Sequence, residues 1–163
     1  NEEFSPATNG KIKASGGFYL GKAPQTVTDG NLEMQGYPFF AGSITLSKRF
    51  VLTKNEVRNA SVCFSKMPSI VTDICVNGKM ADKLLFEPYK TDISDFVREG
   101  ENEISITLTT SLCNFLGPFH LKSEEEHFVY PGYFYHETYL WSRGINGNWS
   151  DDYNFTQNGL FFK

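Results

Sequence analysis

Three groups of side chains in this sequence are of kinds that could do chemistry, and all lie in its last third. The carboxylates come as Glu124-Glu125-Glu126, Glu137 and the pair Asp151-Asp152. Hydrolysis of a sugar linkage needs an acid and a base or nucleophile roughly 5–9.5 Å apart across a cleft. Neighbouring Asp151 and Asp152 do not face each other in that way, and Glu124–Glu126 reads as a solvated loop, so no catalytic residue is assigned. The histidines are His120, His127 and His136. Their spacing does not put two ligands on one helical face, as an H-E-x-x-H motif does, so they read as polar loop residues and no metal site is assigned. No G-x-S-x-G nucleophile motif is present.

The third group mixes aromatic rings with planar polar ends: Tyr133, Tyr135, Trp141, Arg143, Trp149, Asp151 and Asp152. A flat ring can stack on the apolar C–H face of a pyranose while Arg and Asp meet its hydroxyls. Tyr133 and Tyr135 share one side if their segment is extended. Against this stands the usual fate of large aromatics, which is to pack in a core with the polar tip satisfied. Trp141 is expected in a core and Trp149, flanked by Asn148 and Ser150, at the surface. The seven residues form the candidate carbohydrate-binding set.

The elements that must carry these residues follow from composition and punctuation. The chain has 163 residues, 40% of them hydrophobic and 15% aromatic, with a net charge of -4. So many aromatics at so low a charge exclude intrinsic disorder. An acidic balance argues against a nucleic-acid partner, whose phosphates need a basic face. No uninterrupted apolar run reaches the ~18 residues that a membrane helix needs, so no membrane partner is expected.

Turn signals recur at short intervals: Asn9-Gly10, Gly16-Gly17, Asp29-Gly30, Asn77-Gly78, Asn146-Gly147 and Asn158-Gly159. Between them lie runs that alternate with period two. In Ser43–Leu52, Ile44, Leu46, Phe50 and Leu52 share a face, and Lys48 interrupts it, so a bulge or strand end is expected there. Glu103–Thr110 alternates cleanly, with Ile104, Ile106 and Leu108 inward. Ser61–Phe64, Ile70–Val76 and Gly159–Lys163 read as further strands. Many short strands at this spacing predict an all-β, antiparallel β-sandwich. The one credible helical turn is Asp92–Val97, capped by Asp92 and ended by Gly100. Residues 1–15 read as a flexible arm or linker remnant, and 16–163 as one sandwich.

The central stretch resembles the galactose-binding-like jelly-roll domains that accompany bacterial glycoside hydrolases, above all the sugar-binding domain of the family 2 enzymes. The residues that carry the likeness are Ile74–Lys79 (ICVNGK), Glu87–Ile93 (EPYKTDI) and Ser94–Ile106 (SDFVREGENEISI). In that family a strand ends in a V-N-G hairpin, and a Pro-Tyr, Asp-Ile, Gly-Glu-Asn passage leads into the next strand. The likeness covers about residues 43–110. Asn114–Gly117 and the aromatic tail depart from it, and look more like the terminal domain of a little-described group of bacterial glycosidases.

The resemblance implies a non-catalytic accessory domain, with catalytic carboxylates in a barrel that this chain lacks. Its partners would be a glycan, or the catalytic domain of the same polypeptide if the domain serves only as a structural support. The family often holds a structural calcium ion in a loop. Asp29, Asn31 and Glu33 could supply oxygen ligands here, although Asp29-Gly30-Asn31 is equally well explained as a turn.

Cys63, Cys75 and Cys113 are odd in number, form no C-x-x-C and suit no zinc site. The core of a chain this long needs no staple, so three reduced thiols and a cytoplasmic location are expected. The start, Asn1-Glu2-Glu3, has neither Met nor a signal-peptide pattern, and the expectation is a piece of a longer chain. A thiol titration of the denatured, unreduced chain should count three groups. A count of one would reveal a disulfide and place the protein in an oxidising compartment.

Overall fold

Alternating apolar and polar side chains require an extended backbone, and short extended segments bury an apolar face only by pairing into sheets. The computed structural model describes residues 3–6, 11–117, 119–120 and 150–163. In chain order its strands are β1 (Glu3–Pro6), β2 (Lys11–Ser15), β3 (Gly30–Asn31), β4 (Ser43–Leu52), β5 (Ser61–Lys66) and β6 (Val71–Val76). They continue with β7 (Lys79–Leu84), β8 (Lys90–Asp92), β9 (Gly100–Thr109), β10 (Tyr153–Thr156) and β11 (Gly159–Phe162). A single helical turn, α1 (Cys113–Leu116), precedes β10. Among the described residues no helix is long and apolar enough to cross a membrane.

The sequence suggests an arm followed by one sandwich, but the chain divides into two compact units. One comprises Asn1–Lys22 and Leu112–Gln157, the other Ala23–Ser111 and Asn158–Lys163. Residues 1–15 supply β1 and β2 to the first. β2 pairs with β10, far along the chain, which no local pattern reveals.

The larger unit is the antiparallel β-sandwich. One sheet has the order β4-β9-β6-β7 and the other β3-β11-β5-β8. Between them are buried Leu32, Phe64, Ile74, Val76, Leu84, Ile93, Ile106, Leu108 and Leu160. Ile44, Leu46, Phe50, Val62 and Ile104, partly buried, pack against this core. Full burial of one such side chain contributes about 1.5–3 kcal/mol. The period-two rows of the sequence therefore become the inner faces.

β4 and β9 pair without interruption from Ser43 opposite Thr109 to Leu52 opposite Gly100. The bulge expected at Lys48 is absent. Lys48 keeps the inward register, opposite Ile104, and is exposed. The strand lies at the sheet edge, where a long side chain can cover apolar surface with its stem and still reach water. On the outer face hydroxyls link the same two strands: Ser43 to Thr109 at 2.9 Å, Thr45 to Thr107 at 2.8 Å and Ser47 to Ser105 at 2.8 Å.

The two halves of the V-N-G and G-E-N pattern meet at one corner. Asn77 and Gly78 have φ of 51° and 77°, the pair of positive angles that a two-residue hairpin turn needs. The Asn77 amide donates to Phe96 O and to Asn102 Oδ1, both at 2.9 Å, and accepts the Glu103 N–H at 3.0 Å. Asn102, buried, donates to Arg98 O at 2.7 Å and Gly100 O at 2.9 Å, and accepts the Arg98 N–H at 2.9 Å. The predicted turn at Asp92–Val97 is a single hydrogen-bonded turn, closed by the Phe96 and Val97 N–H groups on Ile93 O. The Ser94 N–H and hydroxyl hold the Asp92 carboxyl below the usual carboxylate range. Across the sandwich, Gly159 has φ of 148°, and a Cβ there would collide with Gly30 O.

In the smaller unit β2 lies between β1 and β10, with Ile12 opposite Phe155 and Ala14 opposite Tyr153. Ile12, Ala14 and Phe155 are buried, and Phe18, Phe119 and Tyr153 pack around them.

Asn102→Ala should lower the unfolding free energy by about 1–3 kcal/mol, because it strands buried N–H and C=O groups rather than removing apolar contact. The check is a urea midpoint that falls at unchanged slope. An unmoved midpoint would mean that water replaces the amide without loss.

Candidate functional site

The smaller unit is where the described structure and the candidate set meet. The described residues of this stretch break off at His120 and resume at Ser150, and these two are joined: the Ser150 N–H donates to His120 O at 2.8 Å. One step further in, the Asn154 N–H donates to Phe119 O at 2.7 Å and the Asn154 side chain to the same oxygen at 3.2 Å. His120 Nδ1 lies 3.0 Å from Ser150 O and 3.2 Å from Asp152 O. Both partners are acceptors, so Nδ1 must carry the hydrogen.

The imidazole rests on Tyr153, ring centroids 4.5 Å apart. Tyr153 in turn meets Phe18 edge-on at 4.8 Å and stacks with Phe155 at 5.9 Å. Phe119, Tyr153 and Phe155 thus build, with Phe18, a second, smaller core, and the histidine serves as its polar tie.

Asp152 takes part in the same closure. Its carboxylate accepts from Lys13 Nζ at 2.6 Å and from the Ser150 hydroxyl at 3.0 Å, while its N–H donates back to Ser150 Oγ. Asp151 is exposed. Tyr133, Tyr135, Trp141, Arg143 and Trp149 lie outside the described residues, as do Glu124–Glu126, Glu137, His127 and His136. Of the seven candidates, the described structure therefore places two, adjacent in sequence but differently employed.

Lys13 and Asn114 were not singled out by sequence reading. Asn114 is buried on α1, and its amide pairs with the Thr156 backbone in both directions at 2.7 Å, as a neighbouring strand would. Its partner lies 42 residues away, so no local signal marks it.

Carboxylates elsewhere are engaged in holding the backbone. Asp29 accepts the Phe162 N–H at 2.9 Å, Glu56 the Thr53 N–H and hydroxyl at 2.7 Å each, and Asp82 the Thr91 hydroxyl at 2.8 Å. Those two Thr53 bonds, the hydroxyl's first, lower the Glu56 pKa. Of the trio considered for calcium, Asn31 Nδ2 meets Met34 Sδ, and buried Glu33 accepts from Asn158 Nδ2 at 2.9 Å. Among the described residues no group of three or more His, Cys, Asp or Glu side chains could hold a metal ion.

No family model matches the chain. It is similar to a protein named "Putative beta-glucuronidase" from Formosa agariphila, 24% identical over 80 residues, which is 48% of this chain. The match spans 7% of that protein's length. Among solved structures, a rhamnosidase from Novosphingobium sp. PP1Y aligns over 70% of this chain and 11% of its own, at 20% identity and a TM-score of 0.48. A beta-D-glucuronidase from Dictyoglomus thermophilum aligns over 57% and 17%, at 26% identity and a TM-score of 0.37. A beta-glucuronidase from Bifidobacterium dentium, complexed with coumarin-3-O-glucuronide, aligns over 41% and 11%, at 17% and 0.36.

The closure separates two kinds of contact by cost. Lys13→Met breaks a half-exposed ion pair and should change stability by less than about 1 kcal/mol. Asn114→Leu removes a buried amide from two backbone groups and should cost about 1–3 kcal/mol. Paired thermal melts check the order, and a larger loss for Lys13→Met would reverse this assignment.

Proposed function

We propose that the chain is a non-catalytic carbohydrate-binding accessory region of a larger bacterial glycoside hydrolase, in which the segment 121–149 meets a glycan. The observation that carries this reading is the joined base of that segment, where the His120–Ser150 bond and the Asp152 contacts fix both its ends. In sequence the segment holds Tyr133, Tyr135, Trp141, Arg143 and Trp149, and exposed Asp151 follows at its margin. Recognition groups are commonly carried on loops anchored to a rigid scaffold. The engagement of Asp29, Glu56, Asp82 and Asp152 in backbone and side-chain ties supports a region without hydrolytic machinery. The match to a short part of a far longer protein named as a glucuronidase supports the accessory role. Docking on the catalytic domain without sugar binding is the competing role.

Calorimetric titration of the chain against a panel of oligosaccharides tests the reading. Binding is expected, and Trp149→Ala should weaken it by about 1–3 kcal/mol, taking base–aromatic stacking as the guide. The melting temperature should hardly move. Absence of binding across the panel, with retained docking to the catalytic domain, would favour the competing role. A melting temperature that collapses would make Trp149 a core residue and overturn its place in the site.

A further inference from the structure

The sandwich sheet β4-β9-β6-β7 has two edges of different character. β7 has six residues, carries Lys79 and Lys83, and its partner ladder shifts register between Ile74 and Cys75. Short, bulged and lysine-bearing edges are poor templates for another strand. β4 has ten residues in unbroken register with β9, and among the described residues it pairs with no other strand. A long regular edge of this kind presents a row of unpaired N–H and C=O groups to any extended chain. Its inward row reads Ile44, Leu46, Lys48, Phe50, Leu52, so the only charge on an otherwise apolar row falls at its midpoint. Lys48 is exposed and forms no ion pair among the described residues, although neighbouring Arg49 pairs with Glu103.

We propose that Lys48 keeps the β4 edge from pairing with the same strand of a second copy of this chain. Two β4 strands brought together antiparallel with their inward rows on one face, centred on that row, place the two Lys48 side chains directly opposite each other, while each Arg49 faces Ser47 of the other copy. Like charges directly opposite across a strand pair are unfavourable. The exposed ammonium adds a second cost, because an added strand and its side chains would close off its path to water. Arg49 can relieve its charge against Glu103, whereas Lys48 has no such partner among the described residues. The apolar alternation would thus favour a residue such as isoleucine at position 48, and the lysine spends core contact to leave the edge unpaired.

Light scattering of the full chain across a concentration series tests this. The unaltered chain and Lys48→Glu should stay monomeric, since reversing the sign keeps the repulsion. Lys48→Ile should associate at least about tenfold more tightly, with added amide-exchange protection along β4. Lys48→Met, which retains a long flexible stem, is measured beside it so that an isoleucine variant that fails to fold does not end the test. Ser47→Ile places the same apolar group on the outer face and should not associate through β4. The inference is overturned if Lys48→Ile and Lys48→Met remain monomeric, if Ser47→Ile associates equally, or if the unaltered chain already pairs through β4.

Discussion

The side-chain amides of Asn77 and Asn102 hold together the corner on which the sandwich depends. Strands β6, β7 and β9 can share one sheet only if the β6–β7 hairpin meets the chain as it turns from the Asp92–Val97 turn into β9. At that point backbone groups from Phe96 to Glu103 would be left without ladder partners. The two asparagines supply them, the Asn102 amide with two bonds given and two received. A buried polar network is favourable only when every member is satisfied. Neither an aliphatic residue nor a carboxylate could replace this one, since its site demands donors and acceptors at once. The hairpin, the corner and the start of the longest ladder are therefore one cooperative feature.

With that corner made, the rest of the sandwich follows from pairing. β9 lies between β4 and β6, and its inner row runs from partly buried Ile104 to buried Ile106 and Leu108. Its outer row meets the hydroxyls of β4 in mutual bonds, which hold that face together without apolar burial. The second sheet closes through β11, and Asn158 just before it donates to Glu33, 125 residues earlier in the chain. Gly159 is needed there because backbone passes too close for a side chain.

The smaller unit solves a different problem with the same means. Its apolar core is slight, with Ile12, Ala14 and Phe155 at the centre. Aromatic edge and stacking contacts and side-chain amides do much of the holding: Asn114 acts as a strand surrogate for Thr156, and Asn154 ties to Phe119. His120 and Asp152, which on paper could be a base and an acid, serve as ties between the described residues on either side of 121–149. Residue type alone is thus a weak guide to chemistry, since the same donors and acceptors close loops.

Local pattern determined much of the sandwich. Period-two alternation placed β4, β5, β6, β9 and β11 and the inner rows of their sheets, because a strand repeats every two residues whatever its partner. Asn77-Gly78 announced its hairpin, since few residues accept positive φ, and Asp92 announced a capped turn. Along Ser43–Leu52 the sequence also contained the register of Lys48, but not that an edge position would let the lysine stay in line without a bulge. That depended on which strand had no second neighbour among the described residues. Only the tertiary structure decided that Glu3–Pro6 and Lys11–Ser15 are strands, that the chain forms two units, and that Asn114, Glu33 and Asp152 have distant partners. Those outcomes rest on pairings between residues far apart in the chain, where each partner is polar, common and unremarkable until folding brings it within hydrogen-bond reach of the other.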